Sequence, residues 1–340
     1  LFARRPPPDL QRSVVPRGGV LGREQEVDAI AWKLADPPEP GRPAAVALVG
    51  QGGVGKTTLA GEFARRHADA YGGVARVVAP DAEAGLARLA HRVGTDLPPD
   101  APARTLADDA LRRLVAQPRR WLLIFDNAES VGQVDRWLPE RGDLHVLVTT
   151  REAGWPDTHY REQPVGLLPE ADAAALLMAT ADPPRAPRPR PRDGESAGAR
   201  ALARDLGRLP LALVMAGCWL EGTPSTPFAD YARRLDAILH GETPERYRDT
   251  QIDGAGPSLA AAIGLSLDRC GEDETALLNL FAHMAPEGLS ADLLDPARMP
   301  NLGYKAEIPD PLAELPEDRP RLDRALAALA RRSLLTGDAA

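Results

Sequence analysis

Val46-Ala47-Leu48-Val49-Gly50-Gln51-Gly52-Gly53-Val54-Gly55-Lys56-Thr57-Thr58-Leu59-Ala60 is an apolar strand running into a glycine-rich loop, with a helix opening at the lysine. Gly50, Gly55, Lys56 and Thr57 satisfy the phosphate-loop pattern G-x-x-x-x-G-K-[ST]. A backbone that wraps a phosphate must approach it closely and visit positive φ, which glycine permits. Successive N–H groups then point inward, and the positive end of the following helix adds its field. Lys56 is the candidate to reach the β- and γ-phosphates, and the Thr57 hydroxyl the candidate ligand for Mg²⁺. Gly52, Gly53, Val54 and Thr58 complete the expected nucleotide cradle. Only three lysines occur (Lys33, Lys56 and Lys305), so a lysine-rich composition does not produce the match. The competing reading is an ordinary glycine-rich strand-to-helix turn.

With 340 residues the chain has room for two or three domains with real cores. Its net charge of −8 argues against a general nucleic-acid-binding surface. Cys218 and Cys270 lie in apolar helical contexts without metal-ligand spacing, and read as buried reduced thiols of a cytoplasmic protein. The longest nearly uncharged apolar run, Leu209 to Leu220, is too short to span a bilayer. The start, Leu1-Phe2-Ala3-Arg4-Arg5-Pro6-Pro7-Pro8, lacks the apolar core of a signal peptide and an initiator methionine, so the chain is expected to be a piece of something longer.

Residues 1–19 are proline- and arginine-rich and read as a linker. Val27, Ile30, Ala31 and Leu34 then fall at helical spacing, and Pro37 to Pro43 end that helix. The phosphate-loop helix is expected at about 56–70, a second strand at Gly73 to Ala79, and two amphipathic helices at 82–93 and 105–117. Trp121-Leu122-Leu123-Ile124-Phe125-Asp126 is a buried strand ending in an acid, and Leu144 to Arg151 is another ending in a base. Pro164 to Leu168 is a candidate fifth strand. Strands alternating with helices indicate a parallel α/β sheet. From 169 onward the pattern is helical, with segments at 170–179, 198–206, 210–221, 227–240, 257–268, 273–284 and 321–332. Residues 181–197 read as a solvated loop, or alternatively as a phosphate-binding arm; proline-rich sequence at 309–320 separates the last helices.

Asp126 ends its strand some seventy residues after Lys56, where the second nucleotide motif belongs. At the C-terminal end of a neighbouring parallel strand, its carboxylate would face the phosphates and hold Mg²⁺ through water. Thr149-Thr150-Arg151 ends the next strand on the same edge, so Arg151 can report on a γ-phosphate. The guanine-reading pattern [NT]-K-x-D needs a lysine that none of the three supplies, which favours ATP over GTP. The six histidines form no metal pattern, no G-x-S-x-G turn occurs, and Trp121, Trp137 and Trp155 read as packing residues.

With these motifs in order, the chain resembles the NB-ARC branch of the STAND NTPases, signal-transduction ATPases that include plant disease-resistance proteins, animal apoptosome ATPases and many bacterial multidomain proteins. Val20-Leu21-Gly22-Arg23-Glu24 is similar to the family's segment that contacts adenine, which gives Leu21 and Arg23 a binding role. Gly207-Arg208-Leu209-Pro210-Leu211-Ala212 is similar to its Gly-Leu-Pro-Leu motif with one extra residue, and Pro210 inherits packing against the nucleotide. The resemblance likewise implies that Asp126 coordinates Mg²⁺ and that Arg151 senses the γ-phosphate. It covers about 20–335 and implies a nucleotide-binding domain at 20–168, a helical domain at 169–245 and a winged-helix domain at 246–340. Two departures matter. Asp126 is followed by Asn127 instead of a second acid, so hydrolysis should be slow unless Glu129 serves as the base. The family's ADP-contacting histidine lies beyond Ala340.

The function implied is an ATP/ADP-gated switch whose exchange drives homo-oligomerisation and activation of a fused N-terminal effector such as a TIR domain, in bacterial defence or regulation. Bacterial members of this kind continue into tetratricopeptide repeats, a C-terminal sensor. Two rival readings remain. One is a regulator that binds DNA through the winged helix, although sixteen acidic against ten basic residues from Arg246 onward would repel phosphate. The other is a constitutive ATPase.

Overall fold

The structure is a computed structural model that describes residues 20–182, 196–240, 257–283, 312, 314–315 and 318–335. The expected linker 1–19, the core of the loop at 181–197, and most of 284–317 lie outside the described residues.

Five parallel strands form the sheet: β1 Ala44–Val49, β2 Gly73–Val78, β3 Trp121–Ala128, β4 Leu144–Thr150 and β5 Tyr160–Pro164, in the order β2-β3-β4-β1-β5. β1 and β4 are near-continuous apolar runs buried along almost their whole length, as parallel strands covered on both faces must be. β4 stands between β1 and β3, so the strand carrying Asp126 is one place removed from the phosphate-loop strand, not beside it as the sequence suggested. The fifth strand also comes earlier than expected. The expected stretch was Pro164 to Leu168, but the segment that pairs with β1 is the more polar Tyr160-Arg161-Glu162-Gln163-Pro164.

One face of the sheet is covered by α1 (Glu24–Ala35) and α2 (Lys56–Arg66), through Ile30, Leu34, Leu59 and Phe63. The same core runs on without a break into a helical layer of α6 (Glu170–Ala181), α7 (Ser196–Asp205), α8 (Pro210–Glu221), α9 (Phe228–His240) and α10 (Pro257–Leu267). The other face holds α3 (Ala82–Arg92), α4 (Ala103–Val115) and the short α5 (Val131–Asp135), whose Leu86, Leu106 and Val134 close a second core with Trp137 just past α5. The short α5 gave no periodic signal in sequence. Each fully buried Leu or Phe in these layers contributes about 2 kcal/mol, so the two cores dominate the fold.

α10, which the sequence reading placed in a third unit, packs on α8 and α9. A smaller cluster joins α11 (Glu272–Ala282) to α12 (Arg319–Arg331) through Leu277, Leu322, Ala325 and Leu329. Among the described residues after Pro164 all regular structure is helical. Arg269 donates to the Trp219 carbonyl at 2.9 Å, and Cys218 Sγ lies 3.3 Å from Ser333 Oγ, which fastens this end to α8. Both cysteines are half-buried rather than fully enclosed.

Two polar clusters pin the sheet away from the loop. At the amino end of β4, His145 Nδ1 meets the Tyr71 hydroxyl at 2.8 Å and Nε2 meets Arg120 Nη1 at 2.7 Å. Arginine can only donate, so Nε2 accepts and the ring proton sits on Nδ1. Burial, and then the Arg120 charge, push the His145 pKa down to about 4. At the other end of the order, Lys33 of α1 donates to the Glu162 carbonyl at 2.8 Å and to Gln163 Oε1 at 2.5 Å on β5.

Candidate nucleotide site

The loop between β1 and α2 is held open by its own backbone. Gly53 and Gly55 take φ of +75° and +94°, values at which any side chain would be strained. Gly55 is the residue before α2, and no side chain caps that helix, so its first-turn N–H groups are left to an incoming anion. A Cβ at Gly55 would meet nothing within 4 Å, so the space beside this turn of the loop is open. Lys56 Nζ folds back onto the carbonyls of Gly50 at 2.7 Å and Gln51 at 3.0 Å. Burial, then the Arg151 charge, lower the Lys56 pKa to about 8, with Asp126 pulling the other way. Arg151 lies against the loop, its guanidinium 3.3 Å from where a Gly52 Cβ would stand. Lys56 and Arg151 together give the loop the positive field that a polyphosphate requires.

Asp126 is buried and receives four hydrogen bonds. Its Oδ1 accepts from Thr57 at 2.7 Å and Thr149 at 2.5 Å. Its Oδ2 accepts from Arg76 Nε at 3.0 Å and Nη2 at 2.6 Å. The local cause is a register shift between β3 and β4 over Phe125 to Ala128. Asn127 takes φ +58° and donates its N–H to Thr149 Oγ1 at 2.9 Å. Asn127 thereby turns outward and Asp126 inward. The Thr57 and Asp126 oxygens, side by side, are the hard donor pair that suits Mg²⁺.

Arg23 joins three segments. It is buried, donates to the carbonyls of Val54 at 3.2 Å and Gly166 at 2.6 Å, and pairs with Glu26 at 2.6 Å. The segment containing Leu21 is therefore tied to the loop, whose Val54 is buried. From the helical layer, Leu211 N–H donates to the Gly53 carbonyl at 3.1 Å. Pro210, at the first position of α8, is half-buried beside it. Thr58 is half-buried in the first turn of α2. Gly50 lies under the Val165 carbonyl, which a Cβ there would approach to 2.4 Å.

Glu129 stands apart from this group. It is exposed, its N–H donates to Gln133 Oε1 at 2.8 Å, and its carboxylate accepts from Gln133 Nε2 at 3.3 Å. Three neighbours of the site were not assigned to it from the sequence. Arg76 reads as an ordinary polar residue in a strand; Leu167 and Leu211 are large apolar side chains left exposed, like Leu21, next to groups that bond Arg23 or Gly53. Among the described residues no cluster of three histidine, cysteine or acidic side chains is arranged to hold a metal ion. None of the described helices is long and apolar enough to cross a membrane.

Residues 19–147 match the family described as AAA ATPase domain. Two regulatory proteins named AfsR are similar in sequence. That of Streptomyces coelicolor is 32% identical over 215 residues, covering 58% of this chain and 20% of the relative. That of Streptomyces griseus is 30% identical over 269 residues, covering 72% of this chain and 27% of the relative. This chain thus spans about a fifth to a quarter of the curated relatives' length. A solved signal transduction ATPase with numerous domains (STAND) from Pyrococcus horikoshii, with a tetratricopeptide repeat sensor, has the same fold. It superposes with a TM-score of 0.53 over 96% of this chain and 41% of that one, at 14% identity. The sheet and its phosphate loop are a parallel α/β AAA+ fold.

Proposed function

We propose that this chain is the ATP/ADP-dependent switch of a larger regulatory protein, of the NB-ARC branch of STAND ATPases. The observation that carries the reading is the hydrogen bond from Leu211 to Gly53, made beside Arg23. One loop carbonyl and its neighbour are held by the helical layer and by the segment before the sheet. A change in what the loop binds is therefore felt by both.

In this reading the loop N–H groups, Lys56 and Arg151 bind the phosphates, and Thr57 and Asp126 hold Mg²⁺ (Thr57 directly, Asp126 directly or through water). Mg²⁺, when bound, neutralises phosphate charge. Leu21, Arg23 and Pro210, with Leu167 and Leu211, face the base and sugar. ADP stabilises the docked arrangement and ATP the released one, which requires that the two nucleotides bind the two states with different affinity. Asn127 cannot act as a base and Glu129 is engaged with Gln133, so hydrolysis is slow. The helices after 169 form the moving layer, with the winged-helix portion toward the C-terminal end. Release leads to homo-oligomerisation and activation of domains outside this chain. The name of the two relatives favours regulation over defence as the output.

Purification without added nucleotide, followed by denaturation and chromatography of what is released, tests the switch. Stoichiometric ADP is expected. An empty site with fast exchange and steady turnover would replace the switch by a constitutive ATPase.

A further inference from the structure

Asp126 is saturated. A carboxylate offers about four lone-pair positions, and here Thr57, Thr149 and two nitrogens of Arg76 fill them. A divalent cation with its water shell can be accepted at Asp126 only if one of these donors lets go. Thr149 is the least able to leave, because it is buried and its oxygen also accepts the Asn127 N–H within the register shift. Thr57 is the partner ligand itself, and its oxygen can meet a metal through a lone pair while its O–H still donates to Asp126 Oδ1. Arg76 is different. Its side chain is 27% exposed, and among the described residues its ion pair is with Asp126.

The register explains how Arg76 comes to be there. Arg76 of β2 lies opposite Ile124 of β3, two residues before Asp126. Two residues of strand are about 6.6 Å, a distance an arginine side chain spans when laid along the sheet. Val74, two residues earlier on β2, enters the same core as Leu59 and Phe63 of α2, so Arg76 rises on the α2 face. Its guanidinium therefore supplies positive charge to the carboxylate that the nucleotide's metal would use.

We propose that Arg76 is a resident counter-cation of Asp126 that competes with Mg²⁺, so that loading of metal-bound nucleotide requires Arg76 to swing out toward solvent. This inference rests on the nucleotide reading above and deepens it. Arg76 sets how much Mg²⁺ the site needs, and keeps Asp126 neutralised when no metal is bound. It is a positioning residue, acting on the nucleotide through Asp126.

The full chain is stripped of nucleotide and titrated with a fluorescent N-methylanthraniloyl-ATP, first in EDTA and then with rising MgCl₂. Wild type, Arg76→Gln and Arg76→Lys are compared. The Mg²⁺ concentration at half-effect is expected to fall about tenfold in Arg76→Gln, with Arg76→Lys between it and wild type. Free Mn²⁺, followed by its paramagnetic resonance signal in place of Mg²⁺, is expected to show the same order. A half-effect that is unchanged or higher in Arg76→Gln would overturn the proposal, since Arg76 would then only hold Asp126 in place. If Arg76→Gln does not fold, judged by its melting curve, the Arg76→Lys shift decides in the same way. Wild type that binds no nucleotide in either condition would overturn the nucleotide reading and this inference together. Normal binding with equal half-effects would overturn this inference alone.

Discussion

The main-chain N–H of Leu211 is 3.1 Å from the carbonyl oxygen of Gly53, so an otherwise unmatched donor in the first turn of α8 is satisfied by the phosphate loop. A Cβ at Gly53 would stand 3.0 Å from that of Leu211, on a backbone with φ +75°. Gly53→Ala is therefore expected to cost about 1–2 kcal/mol from the left-handed conformation alone, with the crowding added. Differential scanning calorimetry should record a melting temperature lower by several degrees, and less nucleotide should survive purification. An unchanged melt would mean that the loop and α8 do not meet as described.

Lys56→Ala removes the loop's half-buried ammonium. Charge-assisted hydrogen bonds contribute about 1.5–3 kcal/mol each, so losing one or two weakens ATP binding by roughly ten- to a thousandfold or more. Isothermal titration should show no measurable heat at micromolar concentrations. Binding at wild-type affinity would remove Lys56 from the site.

With its pKa lowered to about 8, Lys56 of the unliganded protein is charged below pH 8 and increasingly neutral above it. Phosphate binding favours the charged form, so complex formation takes up a proton once the pH exceeds 8. Affinity is expected to be flat between pH 6.5 and 7.5 and to fall toward tenfold per pH unit above about 8.5. Calorimetry at pH 9 in buffers of different ionisation heat should register that proton. Flat affinity up to pH 9.5 would contradict it.

His145 predicts an acid sensitivity of the fold. Its folded pKa is about 4 against an ordinary 6.5, so between these values the unfolded chain binds the proton and the folded one does not. Stability is complete above pH 6.5 and is lost as the pH falls toward 4, by at most about 3 kcal/mol from this residue. His145→Asn keeps a neutral polar group beside Tyr71 and Arg120, and should flatten the urea midpoint between pH 6.5 and 5, where carboxylates stay largely ionised. Equal slopes in the two proteins would locate the acid response elsewhere.

How far the sequence carried this picture follows from what each residue needs. The phosphate loop is legible because a close, positive-φ backbone restricts residue type at fixed spacing, and Gly50, Gly55, Lys56 and Thr57 record it. β3 and β4 are legible as short apolar runs ending in Asp126 and Arg151. The order of strands is not, since nothing local to β4 says that it inserts between β1 and β3. The polar Tyr160–Pro164 strand was masked by a more apolar stretch just after it. Arg76 was invisible for the same kind of reason. Its role depends on the register of β2 against β3, a relation between distant segments that no single segment encodes. The hydrogen bond from Leu211 to Gly53 is of that class too, although Pro210 beside it carried a motif.

Lys33 of α1 has a bearing on behaviour at high concentration. β5 is the last strand on its side of the sheet, and the lysine amine occupies its Glu162 carbonyl while also holding Gln163. An exposed strand margin is where two copies of a protein zip together by main-chain pairing, and a lysine across it discourages that. Lys33 thereby guards this margin of the sheet against runaway stacking of copies along β5.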